Sequence, residues 1–330
     1  MLNWGLIGPG VIAHQFATAL ASSVQGILYA VASRNIERAK AFSEQYRAPV
    51  TFEDYHALIA DPNVDVVYIA TPHSHHFPLA KACLMAGKHV LMEKPLTVNA
   101  QQTKQLISLS QQHQCVFQEA MWSRFMPCFE QVKEWIEQQQ IGEVEYITSQ
   151  IGFAFSDLEN HRISDPALAG GALLDLGIYS VSLSQYLLAE NPSEIQATAK
   201  INKDGIDHNT AVNLTYPSGV ISQFTCTMAA QCSNVMSIHG KDGYISLPAY
   251  FWNGRQAQLF KNEKLQQTLD FPHPVNGFEY QIESTMESIL LGRSCDSRMN
   301  HADSLSVMLT LDAIRQQINL RFPEFIESVD

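Results

Sequence analysis

Hydrophobic residues in the first third of the chain come in short apolar runs that alternate with amphipathic stretches. Residues 4–7 contain one run, and residues 64–70, with the sequence V-D-V-V-Y-I-A, form the clearest one. Such runs are typical of strands buried on both faces of a parallel sheet. Between them, apolar residues recur every three or four positions, as in residues 12–20, which predicts helices. The alternation predicts an α/β Rossmann domain with a doubly wound parallel sheet over residues 1–120.

The predicted elements of this dinucleotide-binding domain follow from where each run starts and stops. Strands are expected near residues 4–7, 27–32, 50–51, 64–70, 89–92 and 115–119. Helices are expected near residues 12–20, 35–46, 54–60, 77–86 and 99–113. In a sheet of this kind, the loops that follow the strands face a common crevice where ligands bind.

Residues 121–330 show a different pattern, in which strands are grouped together rather than alternating with helices. Helices are expected over residues 127–139 and 301–320, and strands from residue 144 and over 195–201, 210–216, 220–228, 235–239 and 244–247. Short turns between these strands favour an open, mostly antiparallel sheet. We predict an α+β domain for substrate binding and dimerisation. Its sheet carries helices on one face and buries the other against a second copy of the chain, which forms a homodimer.

Composition narrows the class of protein. At 330 residues the chain fits two domains better than one core. Its formal net charge of -12 at pH 7 argues against a nucleic-acid partner. The six cysteines show no C-x-x-C spacing, and no signal peptide or membrane-spanning run is visible. We therefore expect a cytoplasmic protein with reduced thiols and no membrane partner.

The first predicted strand runs into a glycine turn with the pattern G-x-G-x-x-A, from Gly8 to Ala13. Gly8 turns the chain, and Gly10, which lacks a β-carbon, would let a pyrophosphate approach the backbone N–H groups of the following helix. Val11 and Ile12 open that helix and are predicted to flank the cofactor. An ordinary tight turn has the same composition, but the position between a strand and a helix favours a dinucleotide site.

The second predicted strand ends at Ser33 and Arg34, where proteins selective for NAD place a carboxylate on the ribose 2′-hydroxyl. Arg34 and Arg38 lie four residues apart at the start of the next helix, and Ser33 can donate a hydrogen bond. This arrangement suits the 2′-phosphate of NADP. The alternative is a solvated helix face with Glu37 between two arginines. We predict NADP as the cofactor, with NAD less favoured.

Two further loops follow strands of the same domain. Thr71, Pro72 and His76 follow the fourth strand, and Glu93 and Lys94 follow the fifth. All five are predicted to contact the cofactor, although His76 could simply cap a helix. Three histidines lie within residues 73–76, but no neighbouring carboxylate or cysteine completes a ligand set, so we predict no metal site.

In the second domain, an apolar helix carries Asp175 and Tyr179 four residues apart, which places them on one face. Burying a charged carboxylate is costly, so such a residue is expected to have a hydrogen-bonding or charged partner, or a functional role. A tyrosine becomes an acid or base near neutral pH when a nearby ammonium favours its phenolate, and Lys94 is the candidate. The alternative is a structural hydrogen-bonding pair between Asp175 and Tyr179.

Together with the glycine turn, E-K-P at residues 93–95 makes the chain resemble the glucose-fructose oxidoreductase, inositol dehydrogenase and MocA (Gfo/Idh/MocA) family. Inositol dehydrogenase-type members usually carry a histidine where this chain has Tyr179. The chain is therefore more similar to the subgroup of dimeric dihydrodiol dehydrogenases, also known as NADP-dependent D-xylose 1-dehydrogenases. The similarity lies at G-G-A-L-L-D-x-G-I-Y (170–179), at W-x-R-F (122–125) and at the two arginines, and it is thin over residues 240–300.

The resemblance implies a role for several residues. Tyr179 would be the general acid-base, with Lys94 and Asp175 as its electrostatic and orienting partners. Trp122 and Phe125, in the segment where the chain passes from the first predicted domain to the second, would be walls of the substrate pocket. We also predict that Arg124, Phe153 and Trp252 line this pocket. Phe153 and Trp252 could equally belong to the core or to an interface.

These observations predict an NADP-dependent oxidoreductase that transfers a hydride between the nicotinamide and a hydroxyl-bearing carbon of a sugar or a trans-dihydrodiol. One alternative is a reductase of a ketosugar such as 1,5-anhydrofructose. Another is a regulator that binds NADP without turnover, which would be expected to lose the lysine or the tyrosine.

Overall fold

The chain folds as two units in a computed structural model that describes residues 1–158 and 161–329. The first unit comprises Met1–Trp122 and His273–Leu305, together with the C-terminal Val329. The second comprises Ser123–Pro272 and Ser306–Ser328. The sequence analysis assigned all of residues 121–330 to one domain, whereas residues 273–305 return to the first unit.

The first unit is built on a parallel sheet. Within the described residues this sheet has six strands in the order β3-β2-β1-β4-β5-β6. Its strands are β1 (Leu2–Ile7), β2 (Gly26–Ala32), β3 (Val50–Phe52), β4 (Val66–Ile69), β5 (His89–Glu93) and β6 (Phe117–Ala120). The strand order changes direction between β1 and β4, and ligands bind at such a switch point in doubly wound sheets.

Helices connect these strands and cover both faces of the sheet. They are α1 (Val11–Leu20), α2 (Ile36–Tyr46), α3 (Tyr55–Ala60), α4 (His76–Met85) and α5 (Ala100–Gln112). Alternate residues of β1 serve the two faces, because Leu6 lies in a hydrophobic cluster with Phe16 of α1, and Ile7 lies in another with Leu84 of α4. The prediction of a doubly wound Rossmann domain is confirmed.

The second unit is built on a mostly antiparallel sheet. Among the described strands its order is β14-β13-β12-β11-β7-β10-β9-β8, with β7 and β10 parallel and the other neighbours antiparallel. The strands are β7 (Val144–Gly152), β8 (Glu194–Ile201), β9 (Asp207–Thr215), β10 (Ile221–Thr227), β11 (Met236–Gly240), β12 (Gly243–Leu247), β13 (Gln256–Lys261) and β14 (Lys264–Asp270). The predicted open, mostly antiparallel sheet is confirmed.

The remaining helices are α6 (Pro127–Glu137), α7 (Ile178–Leu188), α8 (Phe278–Leu290), α9 (His301–Gln317) and α10 (Glu324–Glu327). Helix α8 belongs to the first unit because Phe278, Ile282 and Met286 lie in the same hydrophobic cluster as Trp4 and Phe16. The sequence analysis predicted neither α8 nor the β13–β14 hairpin.

Within the residues that the structure describes, one helical segment, Pro166–Leu188, is long and apolar enough by length and composition to cross a membrane. This corrects the expectation that no apolar run in the chain reaches that length. However, 83% of its most apolar window is buried inside the protein. A core helix that packs on a sheet passes the same test.

Candidate active site

The glycine turn after β1 is shaped by its neighbour β4. Gly8 has a φ of 89°, and a β-carbon on it would lie 3.0 Å from the carbonyl carbon of Ala70. Any other residue would therefore be strained in conformation and crowded against backbone. Gly10 has open space instead, because a β-carbon there would meet only the Gly8 carbonyl oxygen, at 4.0 Å. The turn thus leaves room above Gly10 for a ligand.

Helix α1 begins at this open space. Its N-cap residue Gly10 makes no side-chain capping hydrogen bond, so the first N–H groups of the helix have no capping side chain. Val11 is 87% exposed and Ile12 is 37% exposed. An uncapped helix N-terminus flanked by exposed apolar side chains fits a pyrophosphate and its attached nucleosides.

The residues after β2 place two cations beside the glycine turn. Arg34 and Arg38 are exposed, and Nη2 of Arg38 donates to the Pro9 carbonyl oxygen at 3.4 Å. The Ser33 hydroxyl oxygen accepts from the Asn35 N–H at 3.2 Å, which leaves its own proton to donate. Arg34 precedes α2 rather than starting it, because Asn35 is the N-cap and its side chain accepts from the Arg38 N–H.

The loop after β4 faces the same neighbourhood. The hydroxyl of Thr71 is buried and has no hydrogen-bond partner. Burial, and after it the positive charge of Arg34, lowers the pKa of His75. A buried hydroxyl without a partner is costly unless a ligand or water completes it, and a cofactor phosphate or ribose would do so.

His76 was predicted to contact the cofactor, and this prediction is corrected. The side chain is fully buried, with Nδ1 2.8 Å from the Pro95 carbonyl oxygen and Nε2 3.0 Å from the Thr71 carbonyl oxygen. Burial lowers its pKa to about 4, so the ring is neutral near pH 7. His76 therefore joins the loop after β4 to the turn after β5 rather than touching the nucleotide.

The turn after β5 is stabilised by hydrogen bonds of two glutamates. The Glu93 carboxylate accepts from the buried Tyr68 hydroxyl at 2.5 Å, and the Tyr68 ring stacks on Phe16 with ring centres 3.9 Å apart. On the far side of the turn, Oε1 of Glu119 accepts from the Leu96 N–H at 3.1 Å. Glu93 is 8% exposed, so it acts on the cofactor site mainly by fixing the backbone around the half-buried Lys94.

The first unit combines several features that a dinucleotide cofactor requires. An open glycine turn, an uncapped helix, two exposed arginines and a buried hydroxyl without a partner all lie at the carboxyl ends of β1, β2 and β4. No group of three or more His, Cys, Asp or Glu that could hold a metal ion occurs among the described residues. The residues present fit NAD or NADP.

In the second unit, the helix that carries Asp175 and Tyr179 begins against a buried carboxylate. Oδ2 of Asp207, the first residue of β9, accepts from the Leu173 N–H at 2.8 Å and from the Thr210 hydroxyl at 2.7 Å. Gly171, with a φ of 125°, is required here because a β-carbon would lie 2.2 Å from Oδ1 of Asp207. Burial raises the pKa of Asp207 to about 7.

The start of this helix differs from the prediction. Residues Leu173–Gly177 form a π-helical turn, and the regular α-helix begins only at Ile178. Asp175 therefore lies in the wider turn and Tyr179 in the first turn of α7, so a shared face cannot be inferred from α-helical spacing. Single π-helical turns of this kind are frequent at functional sites.

Tyr179 is part of an aromatic surface, which we define as Phe153, Tyr179, Tyr250 and Trp252. Tyr179 is 9% exposed, and its ring stacks on Trp252 with ring centres 6.0 Å apart. Phe153 meets Trp252 edge to face at 5.9 Å. The structure thus brings Tyr179, Phe153 and Trp252 together within the second unit, as aromatic walls beside a phenol.

Two residues of the W-x-R-F segment do not line a pocket. Arg124 is 1% exposed, and its guanidinium donates to the Ser182 hydroxyl at 2.9 Å and to the Ser182 carbonyl oxygen at 2.8 Å. Phe125 is also 1% exposed. The prediction that both face the substrate is corrected, because both are committed to the interior of the second unit.

Trp122, the first residue of that segment, ends the first stretch of chain in the first unit, and its ring lies 4.9 Å from that of Phe278. Sequence reasoning missed Asp207 and Tyr250. Gly171 was the available signal for Asp207, because the Asp207 carboxylate occupies the space that a β-carbon on residue 171 would fill.

Comparison with known proteins identifies the family of the chain. Residues 2–121 match a family profile described as an oxidoreductase family with an NAD-binding Rossmann fold, and residues 129–246 match the GFO/IDH/MocA C-terminal domain. Trans-1,2-dihydrobenzene-1,2-diol dehydrogenase of Mus musculus is 33% identical over 336 residues, which cover 98% of each chain.

Solved structures show the same fold. A 3-ketoreductase from Actinomadura kijaniata in complex with NADP is 25% identical, with a TM-score of 0.83 over 96% of this chain and 97% of that one. Levoglucosan dehydrogenase in complex with NADH and levoglucosan is 22% identical, with a TM-score of 0.84 over 96% of this chain and 97% of that one.

Both parts of the chain therefore match domains of one family, and the first part contains a site that fits NAD or NADP. The chain belongs to the GFO/IDH/MocA family of NAD(P)-binding oxidoreductases.

Proposed function

We propose that this oxidoreductase uses NADP to interconvert a hydroxyl group and a carbonyl group on a trans-dihydrodiol or a sugar. The observation that carries the proposal is the position of Tyr179, a phenol at the edge of an aromatic surface and at the start of a helix fixed by Asp207. Aromatic walls suit the flat ring of a diol or the apolar face of a sugar. The relatives named above act on a dihydrobenzene diol, or are bound to levoglucosan, which supports this substrate class.

In this proposal, Tyr179 moves the proton of the reacting hydroxyl. It takes the proton in the oxidative direction and returns it in the reductive direction. Lys94 favours the phenolate form of Tyr179 through its positive charge, and Asp175 orients the reacting groups. NADP, when bound, accepts or supplies the hydride at C4 of its nicotinamide ring.

Replacing Tyr179 tests this role. Tyr179→Phe keeps the ring against Trp252 but removes the ionisable hydroxyl, so kcat should fall by about 100-fold or more. KM should change little because the aromatic surface is intact. Steady-state rates on a panel of trans-dihydrodiols, aldopentoses and 1,5-anhydrofructose would measure both constants and separate a dehydrogenase from a ketosugar reductase.

Tyr29→Phe is the matched control for this experiment. Its hydroxyl makes a hydrogen bond to Asp61 at 3.5 Å, in the first unit and away from the glycine turn, so kcat should stay unchanged. A Tyr179→Phe variant with the kcat of the parent protein would contradict the proposal. Tight NADPH binding without turnover of any compound in the panel would favour a regulator instead.

The choice of NADP over NAD rests on Ser33, Arg34 and Arg38. No carboxylate follows β2 to hold a ribose 2′-hydroxyl, whereas two exposed guanidinium groups lie there and can bind a phosphate. Fluorescence titration should show that the double variant Arg34→Ala/Arg38→Ala weakens NADPH binding by about 100-fold and NADH binding by less than about threefold. Equal losses for the two cofactors would remove the argument for NADP.

A further inference from the structure

Tyr250 is held in a backbone conformation that a bulky residue rarely adopts. Its φ is 64° and its ψ is 47°, in the left-handed region, and it precedes the short helical turn Phe251–Asn253. For a residue with a β-carbon this conformation is unfavourable, and a glycine would remove the strain. The turn is nevertheless closely fixed, because the Asn253 N–H donates to the Tyr250 carbonyl oxygen at 2.8 Å and the Phe251 N–H donates to the Asn234 carbonyl oxygen at 3.1 Å.

The side chain of Tyr250 does not serve the core. It is 51% exposed, whereas its neighbour Phe251 is 2% exposed and anchors the turn in the interior. About half of the ring stays open to solvent on a strained backbone, so burial alone does not account for a tyrosine at this position. The ring is therefore available to a ligand.

The ring also has a defined place on the aromatic surface. It lies nearly parallel to Phe153, with ring centres 6.4 Å apart and planes 12° apart, and it meets Trp252 edge to face at 5.6 Å. Trp252 in turn stacks on Tyr179. Tyr250 and Tyr179 thus both contact the same indole ring.

We propose that Tyr250 is a specificity-determining residue, which packs on the flat, apolar face of ring-shaped substrates and so favours cyclic diols over acyclic hydroxy compounds. This inference rests on the proposed function, because it assumes that the substrate reacts beside Tyr179. A contact of this kind binds the ground state and the transition state alike, so its loss raises KM and leaves kcat unchanged.

Two substitutions at position 250 separate the ring from the backbone. Tyr250→Gly removes the ring and also relieves the unfavourable φ, so the variant should fold at least as well as the parent protein in a thermal melt. Its KM for a trans-dihydrodiol should rise about tenfold with unchanged kcat. The KM for an acyclic substrate such as glyceraldehyde should change by less than about twofold. Tyr250→Phe keeps the ring and should restore the original KM.

Phe325→Ala is the control, because Phe325 is a more exposed aromatic residue of the second unit, at 75%, and lies outside the aromatic surface. It should alter neither constant. An unchanged KM in Tyr250→Gly, an equal rise for ring and acyclic substrates, a fall in kcat, or a change in oligomeric mass would overturn the proposal.

Direct binding distinguishes failure of this inference from failure of the proposed function. Calorimetry with trans-cyclohexane-1,2-diol, added to the protein saturated with NADPH, measures affinity without turnover. An affinity about tenfold weaker in Tyr250→Gly supports the inference even if no panel compound is oxidised, in which case the proposed reaction alone is wrong. Equal affinity of the two proteins, or no binding to either, overturns the inference.

Discussion

At the scale of single residues, Asp207 is the group that holds the start of the segment Leu173–Tyr179. Its carboxylate is fully buried, and one oxygen accepts both of the donors described for it, while Oδ1 has no partner. The charged form is therefore poorly compensated, which raises its pKa to about 7, with the Arg315 guanidinium opposing the shift only weakly. Cys226 is the other ionisable neighbour, and its thiol is neutral because burial raises its pKa well above the usual value.

The raised pKa of Asp207 has a consequence for stability. Between pH 4 and pH 7 the folded protein holds a proton on Asp207 that the unfolded chain has already lost, so this residue's contribution to the free energy of unfolding falls as the pH rises. Asp207→Asn keeps an acceptor for Leu173 and Thr210 and removes the titration. In denaturant unfolding, the free energy of unfolding of the variant relative to that of the parent protein should rise by up to about 4 kcal/mol between pH 4 and pH 7.

The exposed Asp204 lies three residues before Asp207 and supplies the control. The difference between Asp204→Asn and the parent protein should stay within about 0.5 kcal/mol over the same pH range. If the gap between Asp207→Asn and the parent protein did not widen with pH, Asp207 would not titrate near neutrality in the folded state.

At the scale of elements, the segment Leu173–Tyr179 is positioned by contacts at its start with the distant residue Asp207. The π-helical turn Leu173–Gly177 begins where Gly171 leaves space for Asp207, and α7 then carries Tyr179 against Trp252. A change that displaces this start should shift Tyr179 relative to the aromatic surface. Since general acid-base catalysis depends on position within hydrogen-bond reach, activity should be lost together with stability.

Alanine substitutions at two glycines with positive φ would measure the effect of steric crowding separately from that of backbone strain. Gly171→Ala places a β-carbon 2.2 Å from the Asp207 carboxylate, whereas Gly205, with a φ of 86°, has nothing within 4 Å of the added carbon. Gly205→Ala should cost about 1 kcal/mol of stability through its conformation alone and leave kcat unchanged. Gly171→Ala should cost about 3 kcal/mol or more and lower kcat as well. Equal effects of the two changes in urea unfolding would show that the contact with Asp207 is unimportant.

At the scale of the whole molecule, the second sheet has one face with a row of half-buried rings. Tyr146, His239, Tyr244 and Phe260 follow one another across β7, β11, β12 and β13, with ring centres 4.4 to 5.9 Å apart. They alternate with buried residues such as Ile147 and Ile238, so they lie on the opposite face of the sheet. We propose that this face joins two copies of the chain in a homodimer.

Light scattering of single variants tests the homodimer. Tyr244→Asp should convert a dimer to a monomer, because in a two-fold interface each substitution introduces a buried charge twice. Leu309→Asp is the control, because Leu309 is 55% exposed on α9 and not on the sheet, and its mass should not change. A monomer from Leu309→Asp with a dimer from Tyr244→Asp would place the interface elsewhere.

The sequence determined features that depend on a few neighbouring residues. Apolar runs such as residues 64–70 fixed the strands of the parallel sheet, and the glycines at 8 and 10 fixed the turn above them, because strand burial and backbone conformation are local properties. The motifs at residues 93–95 and 170–179 were sufficient to indicate the family. Residues 256–270 form a hairpin that was missed because their polar, weakly alternating sequence carries little strand signal.

Only the tertiary structure decided which of the candidate side chains reach a ligand. His76 and Arg124 are of the residue types that bind phosphates and substrates, yet both side chains are buried. His76 makes hydrogen bonds to backbone, and Arg124 makes hydrogen bonds to Ser182. Asp207 and Tyr250 gain their importance from residues far away in the sequence, namely Leu173 and Trp252. Burial and pairing of this kind are set by contacts between distant segments, and a local pattern does not contain that information.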